Sequence, residues 1–386
     1  MANFADSVSR WESPLDGLAE FLVDELAPYP GRAATVARTV TACVITMLLV
    51  MVFRIPNGFL AVFYALAISR ADPHSTVRNG FHILAANIAA LLVSLAGIVL
   101  FIDYPLPHFL FVTGIFFLAF FLTRTLASGA TAFGFTIIAV AAASVPIIWA
   151  LPNPLRPDLE TTVWTAFGIM LGTLATVLTE WMFAFHGTVA NEPPDSQRMF
   201  VADAFSNPEY VKFALKGCLA ASICYVFWSG IAWPGLGVCT VTCVIAAPVA
   251  NVGSSRRRLT TRLSGLFAGG VVCGIGSQVF VLPRVDSIVG FTVAFAAVSA
   301  VAAWFTTASP RLNYFGRQMA LAYYLTIFQG FGINTSLVMS RDRLMGILLG
   351  LLVMWLVFDA TPAAFQGLSC TVPLADARGS VTHSEP

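Results

Sequence analysis

Residues 208–258 read PEYVKFALKGCLAASICYVFWSGIAWPGLGVCTVTCVIAAPVANVGSSRRR, and this stretch decides the fold. From Gly217 to Ser255 it holds no charged residue, well beyond the roughly 20 apolar residues with which one helix crosses a bilayer. Trp233-Pro234-Gly235 supplies the break, because proline lacks an amide donor and clashes with the preceding turn. The stretch therefore predicts two spans joined by a sharp bend. Lys216 sits inside the first of them, and Arg256-Arg257-Arg258 closes the second.

Moved back by 178 residues, the same landmarks recur. Arg38 falls on Lys216, Pro56 on Pro234, Arg78 on Arg256, and Gly168 with Gly172 on Gly346 with Gly350. The landmarks are a cation in an apolar run, a helix-breaking proline, a basic loop and a small-residue packing face. Four kinds of feature agreeing on one offset predict an internal repeat. Phe133-Gly134 meets Phe315-Gly316 at 182 instead, which implies a short insertion and a compensating deletion between the copies.

Composition sets the solvent. With 58% apolar and 11% charged residues, 386 residues cannot be arranged as a soluble globule. The formal net charge of +1 gives no reason to expect a nucleic-acid partner. Cys43, Cys218, Cys224, Cys239, Cys243 and Cys273 lie in apolar runs, where thiols act as small hydrophobes, and no spacing suggests a metal or redox pair. No cofactor motif is present either.

Runs long enough to span appear at 33–53, 58–69, 81–102, 106–122, 129–150 and 161–183. The second half gives 211–231, 234–250, 262–283, 288–306, 314–331 and 343–360. Helices are expected, since unpaired backbone in lipid is costly and no segment alternates as a barrel strand does. The predicted fold is an all-α polytopic membrane protein of two parallel six-helix repeats related by pseudo-twofold symmetry. The domains read as a cytoplasmic segment over 1–32, a first repeat over 33–185, a linker over 186–208, a second repeat over 209–360 and a disordered tail over 361–386.

Orientation follows from counting basic residues in alternate loops. With the amino terminus placed in the cytoplasm, the inner loops hold Arg70, Arg78, Arg124, Arg198, Lys212, Arg256, Arg257, Arg258, Arg262, Arg311 and Arg317. The outer loops hold only Arg54, Arg156, Arg284, Arg341 and Arg343, so this orientation is favoured. Residues 1–32 lack the hydrophobic core of a cleavable signal. Leu15, Leu18, Phe21, Leu22 and Leu26 recur there at helical spacing with Asp16, Glu20, Asp24 and Glu25 opposite, which predicts an amphipathic helix on the cytoplasmic interface.

Several motifs together resemble the fusaric acid resistance family, the aromatic acid exporters, and within it the multidrug efflux permease subunits of tripartite pumps. They are Phe21-Leu-Val-Asp-Glu-Leu with Pro30-Gly-Arg, Asn207-Pro-Glu-Tyr-Val-Lys-Phe-Ala-Leu-Lys216, and Trp233-Pro-Gly. Ala308-Ser-Pro-Arg-Leu-Asn-Tyr-Phe-Gly-Arg-Gln318 and Arg341-Asp-Arg-Leu-Met-Gly-Ile-Leu-Leu-Gly350 complete the set, over about residues 20–360. The resemblance implies a bacterial inner-membrane exporter that hands its substrate to a periplasmic adaptor and an outer-membrane channel. The chain departs from the family pattern in its short linker and short tail, where such proteins carry large cytoplasmic regions.

Ionisable residues inside spans are costly, by about 3 kcal/mol on insertion scales, so each needs a reason. Arg38 and Lys216 admit two: their stems snorkel to headgroups, or the two cations converge across the pseudo-twofold axis on an anion route. Tyr323 and Phe328 are candidates to stack on an aromatic substrate, against the alternatives of interface or core. Asp342 and Arg343 open the last span, where a salt bridge or an exit gate fits. Gly168 with Gly172, Gly265 with Gly269 and Gly346 with Gly350 read as helix-packing faces.

Between the span ends the sequence offers no Asp or Glu, with Glu180 and Asp359 at the expected cytoplasmic ends of the sixth and twelfth spans. Export of an anion needs no buried acid, because an interior-negative potential of about 100 mV favours expelling one negative charge by about 2.3 kcal/mol, roughly fifty-fold. The predicted cargo is accordingly a small organic anion, and the family resemblance implies an aromatic one. A passive anion channel, as in the plant malate-channel relatives the unit also resembles, and a non-transporting scaffold remain alternatives. An enzyme is not expected, since His74, His82, His108, His186 and His383 are scattered without partners at catalytic or metal spacing.

Overall fold

A computed structural model of the chain describes residues 23, 25–70, 72–101, 103–126, 156–184, 200–231, 233–246, 255–308 and 312–360. The expected span 129–150, the face built on Leu15 to Leu22, most of the linker and the tail lie outside these residues.

The described chain is helical almost throughout. The elements are α1 (Arg32–Val52), α2 (Gly58–Ile68), α3 (Pro73–Phe101), α4 (Pro105–Thr125), α5 (Arg156–Ala184), α6 (Pro208–Ile231) and α7 (Pro234–Ala246). Then follow α8 (Ser255–Leu266), α9 (Ile288–Thr306), α10 (Asn313–Ile327), β1 (Phe328–Gln329), β2 (Gly332–Ile333) and α11 (Leu337–Ala360). α8 runs on as π-helix over Phe267–Ile275 and Ser277–Val281 before a single 3-10 turn. Among the described residues, seven helices are long and apolar enough to cross a membrane.

Their surfaces agree with that solvent. In α9 only 28% of the most apolar window is buried, so most of its hydrocarbon points outward. Ile288, Val289 and Val293 are exposed there, as are Phe81, Leu92, Val99 and Leu100 on α3. A water-soluble protein of this size would not display such continuous apolar faces; lipid solvates them at no cost. The fold is an all-α polytopic membrane architecture.

Helix boundaries follow local chemistry. α3 begins at Pro73, eight residues before the expected apolar run, because Asp72 accepts hydrogen bonds from Ser75 N at 2.9 Å and His74 N at 3.3 Å while proline fits the first helical position. The break between α1 and α2 places Arg54 and Asn57 in left-handed backbone, and Asn57 Nδ2 donates to Thr165 Oγ1 at 2.9 Å, tying the bend to α5. α10 ends before the expected span does. Phe328–Gln329 turns back on Gly332–Ile333 through Gly330, whose φ of 58° glycine adopts without penalty. Ahead of α6, Asp203 accepts from Asn207 Nδ2 at 3.0 Å and from the Tyr210 hydroxyl at 3.0 Å, and these bonds hold its carboxyl below the usual range.

Packing is reciprocal between the two halves of the chain. α1, α2 and α5 pack together, and so do α6, α7 and α11. Across the halves α4 packs on α6, as α9 packs on α1. The close approaches repeat as well: a Cβ on Gly172 would collide with the Ala61 carbonyl, and one on Gly350 would stand 2.6 Å from the Cys239 carbonyl. Gly269 lies against the Met319 carbonyl in the same manner. These glycines do what the small-residue motifs predict, admitting a neighbouring backbone where any side chain would hold it off.

Candidate functional site

Arg38 lies on the second turn of α1, and the packing of α1 on α5 brings it to Glu180. Arg38 Nε and Glu180 Oε2 are 3.0 Å apart, with the arginine side chain 13% exposed and the glutamate 1% exposed. Glu180 is thus inside the packed bundle, one turn before the end of α5, with Asp72 near enough for its like charge to be felt. Reading position along a run missed this. Burial of Glu180 depends on how α1 and α2 close over α5, which no local signal encodes.

Lys216 occupies the equivalent turn of α6, and Lys216 Nζ donates to the Phe358 carbonyl at 3.5 Å. Phe358 stands 178 residues beyond Glu180, so the two cations meet the same turn of the last helix of their own halves. A cation near the C-terminal turn of a helix satisfies carbonyls that have no intrahelical partner and complements the helix dipole. The first half adds the Glu180 carboxylate to that arrangement, and the second brings Lys216 to the Phe358 carbonyl.

Tyr323 and Phe328 lie in an aromatic cluster on the inner face of α10. The Tyr323 ring is 6.1 Å from Phe295 and 5.9 Å from Tyr324; Phe328 is 5.9 Å from Phe295 and 6.4 Å from Phe291. Both are fully buried. At the opposite end from Arg38, Arg341 pairs with Asp342 at 2.8 Å. Arg343 turns inward, donating to the Leu325 carbonyl at 2.5 Å and to the Phe328 carbonyl, so it caps the end of α10. Beside it Gln278, Asn334 and Ser340 close a buried network on the Thr326 carbonyl, with Ser340 Oγ donating to Gln278 Oε1 at 2.9 Å.

Two further features escaped the sequence reading. Arg32 is 1% exposed and locks α1 to α9: its guanidinium stacks 4.3 Å from the Trp304 ring and donates to the Trp304 carbonyl at 2.6 Å and the Ala27 carbonyl at 2.8 Å. The thiols of Cys224, Cys239 and Cys243 gather between α6 and α7, with Cys239 Sγ 3.0 Å from Cys224 Sγ and Cys243 Sγ bonded to the Gly350 carbonyl at 3.2 Å. Among the described residues no group of His, Cys, Asp and Glu could hold a metal ion.

A polar cavity of about 180 Å³ opens between α1, α2, α9 and α10, at the end of the bundle where α1 begins. Thr35 and Thr39 of α1, Thr306 of α9, and Asn313 and Arg317 of α10 line it, together with Arg70 just past α2. None of the six residues singled out in the sequence belongs to its wall.

Comparison with known proteins adds one relationship. A segment of 196 residues, 50% of this chain, is 36% identical to the multidrug resistance protein MdtO of Shigella flexneri. A segment of 172 residues, 44% of the chain, is 38% identical to the protein of the same name from Escherichia coli K12. The matched parts cover 28% and 24% of those relatives, so the chain spans under a third of their length. No family model matches the chain, and no solved structure matches it. Along about half of its length, then, this membrane protein is similar to bacterial multidrug resistance proteins.

Proposed function

We propose that the protein is a bacterial inner-membrane efflux transporter of small anionic compounds, aromatic acids among them, acting as the permease subunit of a tripartite export system. Its partners in that reading are the lipid bilayer, a periplasmic adaptor and an outer-membrane channel, with the amino terminus in the cytoplasm. The observation that carries it is the similarity to the MdtO proteins, borne by a chain whose described helices are apolar enough to span.

Two parallel six-helix repeats form the frame of the reading. Support comes from the shared offset of Gly172 on Ala61 with Gly350 on Cys239, and of Arg38 at Glu180 with Lys216 at Phe358. In a frame of this kind the halves rock about the axis between them. Arg38 and Lys216 then line the route as paired cations, Tyr323 and Phe328 supply an aromatic wall, and Asp342 with Arg343 gates the exit. Glu180 neutralises Arg38 at rest, so a cargo carboxylate competes with an internal carboxylate for the same guanidinium.

The preference for anions rests on charge. The buried carboxylate at Glu180 already has a cationic partner, which leaves it poorly suited to hold a cationic drug. An interior-negative potential of about 100 mV drives an anion outward by roughly fifty-fold without a coupling ion. Accumulation of labelled benzoate in cells tests the reading. Cells expressing the chain retain less than cells with empty vector, and Arg38→Gln with Lys216→Gln restores retention while the protein stays inserted. Equal retention in all three strains contradicts it.

A further inference from the structure

We propose that cargo crosses between the two halves along the ring of α1, α2, α9 and α10, and that the Tyr324 hydroxyl is the gate which a cargo carboxylate opens. The inference rests on the anion-export reading and gives it a path and a gating group.

Packing lays out the path. α1 packs on α2 and α9, and α10 packs on the same two helices, so two helices from each half close a ring. The polar cavity occupies one end of that ring. Its deepest lining residues on α1, α2 and α9 are Thr39, Leu66 and Ala303. One turn further in on these helices stand Cys43, Val62 and Ser299, and Tyr324 of α10 reaches into the same layer. All four are fully buried, and they form the floor on which the cavity ends.

Hydrogen bonding holds this layer shut. Tyr324 Oη donates to Ser299 Oγ at 3.0 Å and lies 3.8 Å from Cys43 Sγ, whose thiol faces the Val62 carbonyl at 3.9 Å. One phenol thus ties α10 to α9 and to α1, across the boundary between the halves. Behind it aromatic side chains fill the ring. Phe295 stacks on Tyr324 at 5.4 Å, and Tyr323, Phe328 and Phe291 continue from it. A buried hydroxyl is costly without a partner, so the bond to Ser299 yields only to another acceptor. A carboxylate arriving through the cavity is a better one, because a hydrogen bond to an ionised acceptor is about twice as strong as one between neutral groups. A neutral amide brings no such gain. The gate selects an anion by the energy of that bond, and the aromatic side chains beyond it suit a flat ring.

Cys43 is a reporter standing at the gate. The test uses the full chain in proteoliposomes, an anionic methanethiosulfonate as thiol probe, and peptide mapping by mass spectrometry to follow each cysteine. In the wild-type chain benzoate should speed Cys43 modification about fivefold, the scale of one hydrogen bond, and benzamide should not. Tyr324→Phe keeps the ring and loses the hydroxyl, so it should speed modification by about the same factor with no benzoate present. Ser299→Ala should do likewise. Cys224 and Cys243, also buried but between α6 and α7, should stay protected throughout. Modified Cys43 should stop benzoate flux, and removal of the adduct by dithiothreitol should restore it. Cys43 that stays protected while the wild-type chain carries benzoate overturns the path without recourse to a variant. So does a rise in Tyr324→Phe that Cys224 and Cys243 share, which marks a loosened fold. Equal responses to benzoate and benzamide overturn the carboxylate assignment. Benzoate flux that persists with Cys43 modified sinks the path and leaves the efflux reading. Selective opening at Cys43 by Tyr324→Phe, in a chain that carries no benzoate, sinks the efflux reading and leaves the gate.

Discussion

A cation meets an acid inside the bundle at Arg38 and Glu180, and the consequence is a one-sided sensitivity. Removing one member of a buried pair strands the other charge and costs about 3 to 5 kcal/mol, whereas replacing both by apolar groups is close to neutral. With Arg38 13% exposed and Glu180 1% exposed, stranding the arginine is milder because its stem can reach solvent or headgroups. Arg38→Met should therefore be the more damaging single change and Glu180→Leu the lesser. The double variant should regain most of the melting temperature lost by either. Thermal unfolding in detergent checks the cycle, and two neutral single variants would contradict a buried pair. Sequence had placed Arg38 among residues in need of a reason and left Glu180 as a span end. Intramembrane cost is legible from one residue; the identity of its partner is a property of the packing.

At the level of the helix, close backbone approach is what the glycines provide. Gly172→Ala drives a methyl into the Ala61 carbonyl, and Gly350→Ala does the same less severely toward Cys239. Overpacking of this kind costs about 1 to 3 kcal/mol, so both variants should melt earlier, Gly172→Ala by more. Gly114→Ala, with open space around the glycine, should leave the melting temperature unchanged, and a loss there equal to that at Gly172 would refute the packing argument. The helices themselves were largely readable. Apolar runs at 33–53, 58–69 and 106–122 correspond to α1, α2 and α4 within a few residues, because the length needed to cross lipid is written in composition. α3 and α8 start earlier than their apolar runs. The first turn of α3 carries His74 and Ser75, which a hydropathy reading assigns to a loop although a cap at Asp72 makes them helical, and α8 opens on the polar Ser255-Arg256-Arg257-Arg258. The end of α10 was misjudged for the converse reason, since apolar Phe328 and Phe331 continue the run while Gly330 turns the chain.

For the molecule as a whole, repeated landmarks were visible in the sequence while the cavity was not. Arg38, Pro56 and Gly172 each have a counterpart 178 residues on, and the contacts of Arg38 with Glu180 and Lys216 with Phe358, and of Gly172 with Ala61 and Gly350 with Cys239, follow the same offset. Arg70 and Arg317, by contrast, read as ordinary basic residues of inner loops. Only the meeting of the end of α2 with the start of α10 converts them from orientation signals into two walls of one space.

The central claim, that the protein moves small anions through the bilayer, is tested most directly by flux in proteoliposomes under an imposed potential. With the full chain reconstituted and an interior-positive potential of about 100 mV, labelled benzoate should accumulate toward a gradient of roughly fifty-fold. Reversing the potential should reverse the flux, and labelled benzylamine should not be carried. Benzoate movement no faster than in protein-free vesicles, or carriage of benzylamine in its place, would contradict the account.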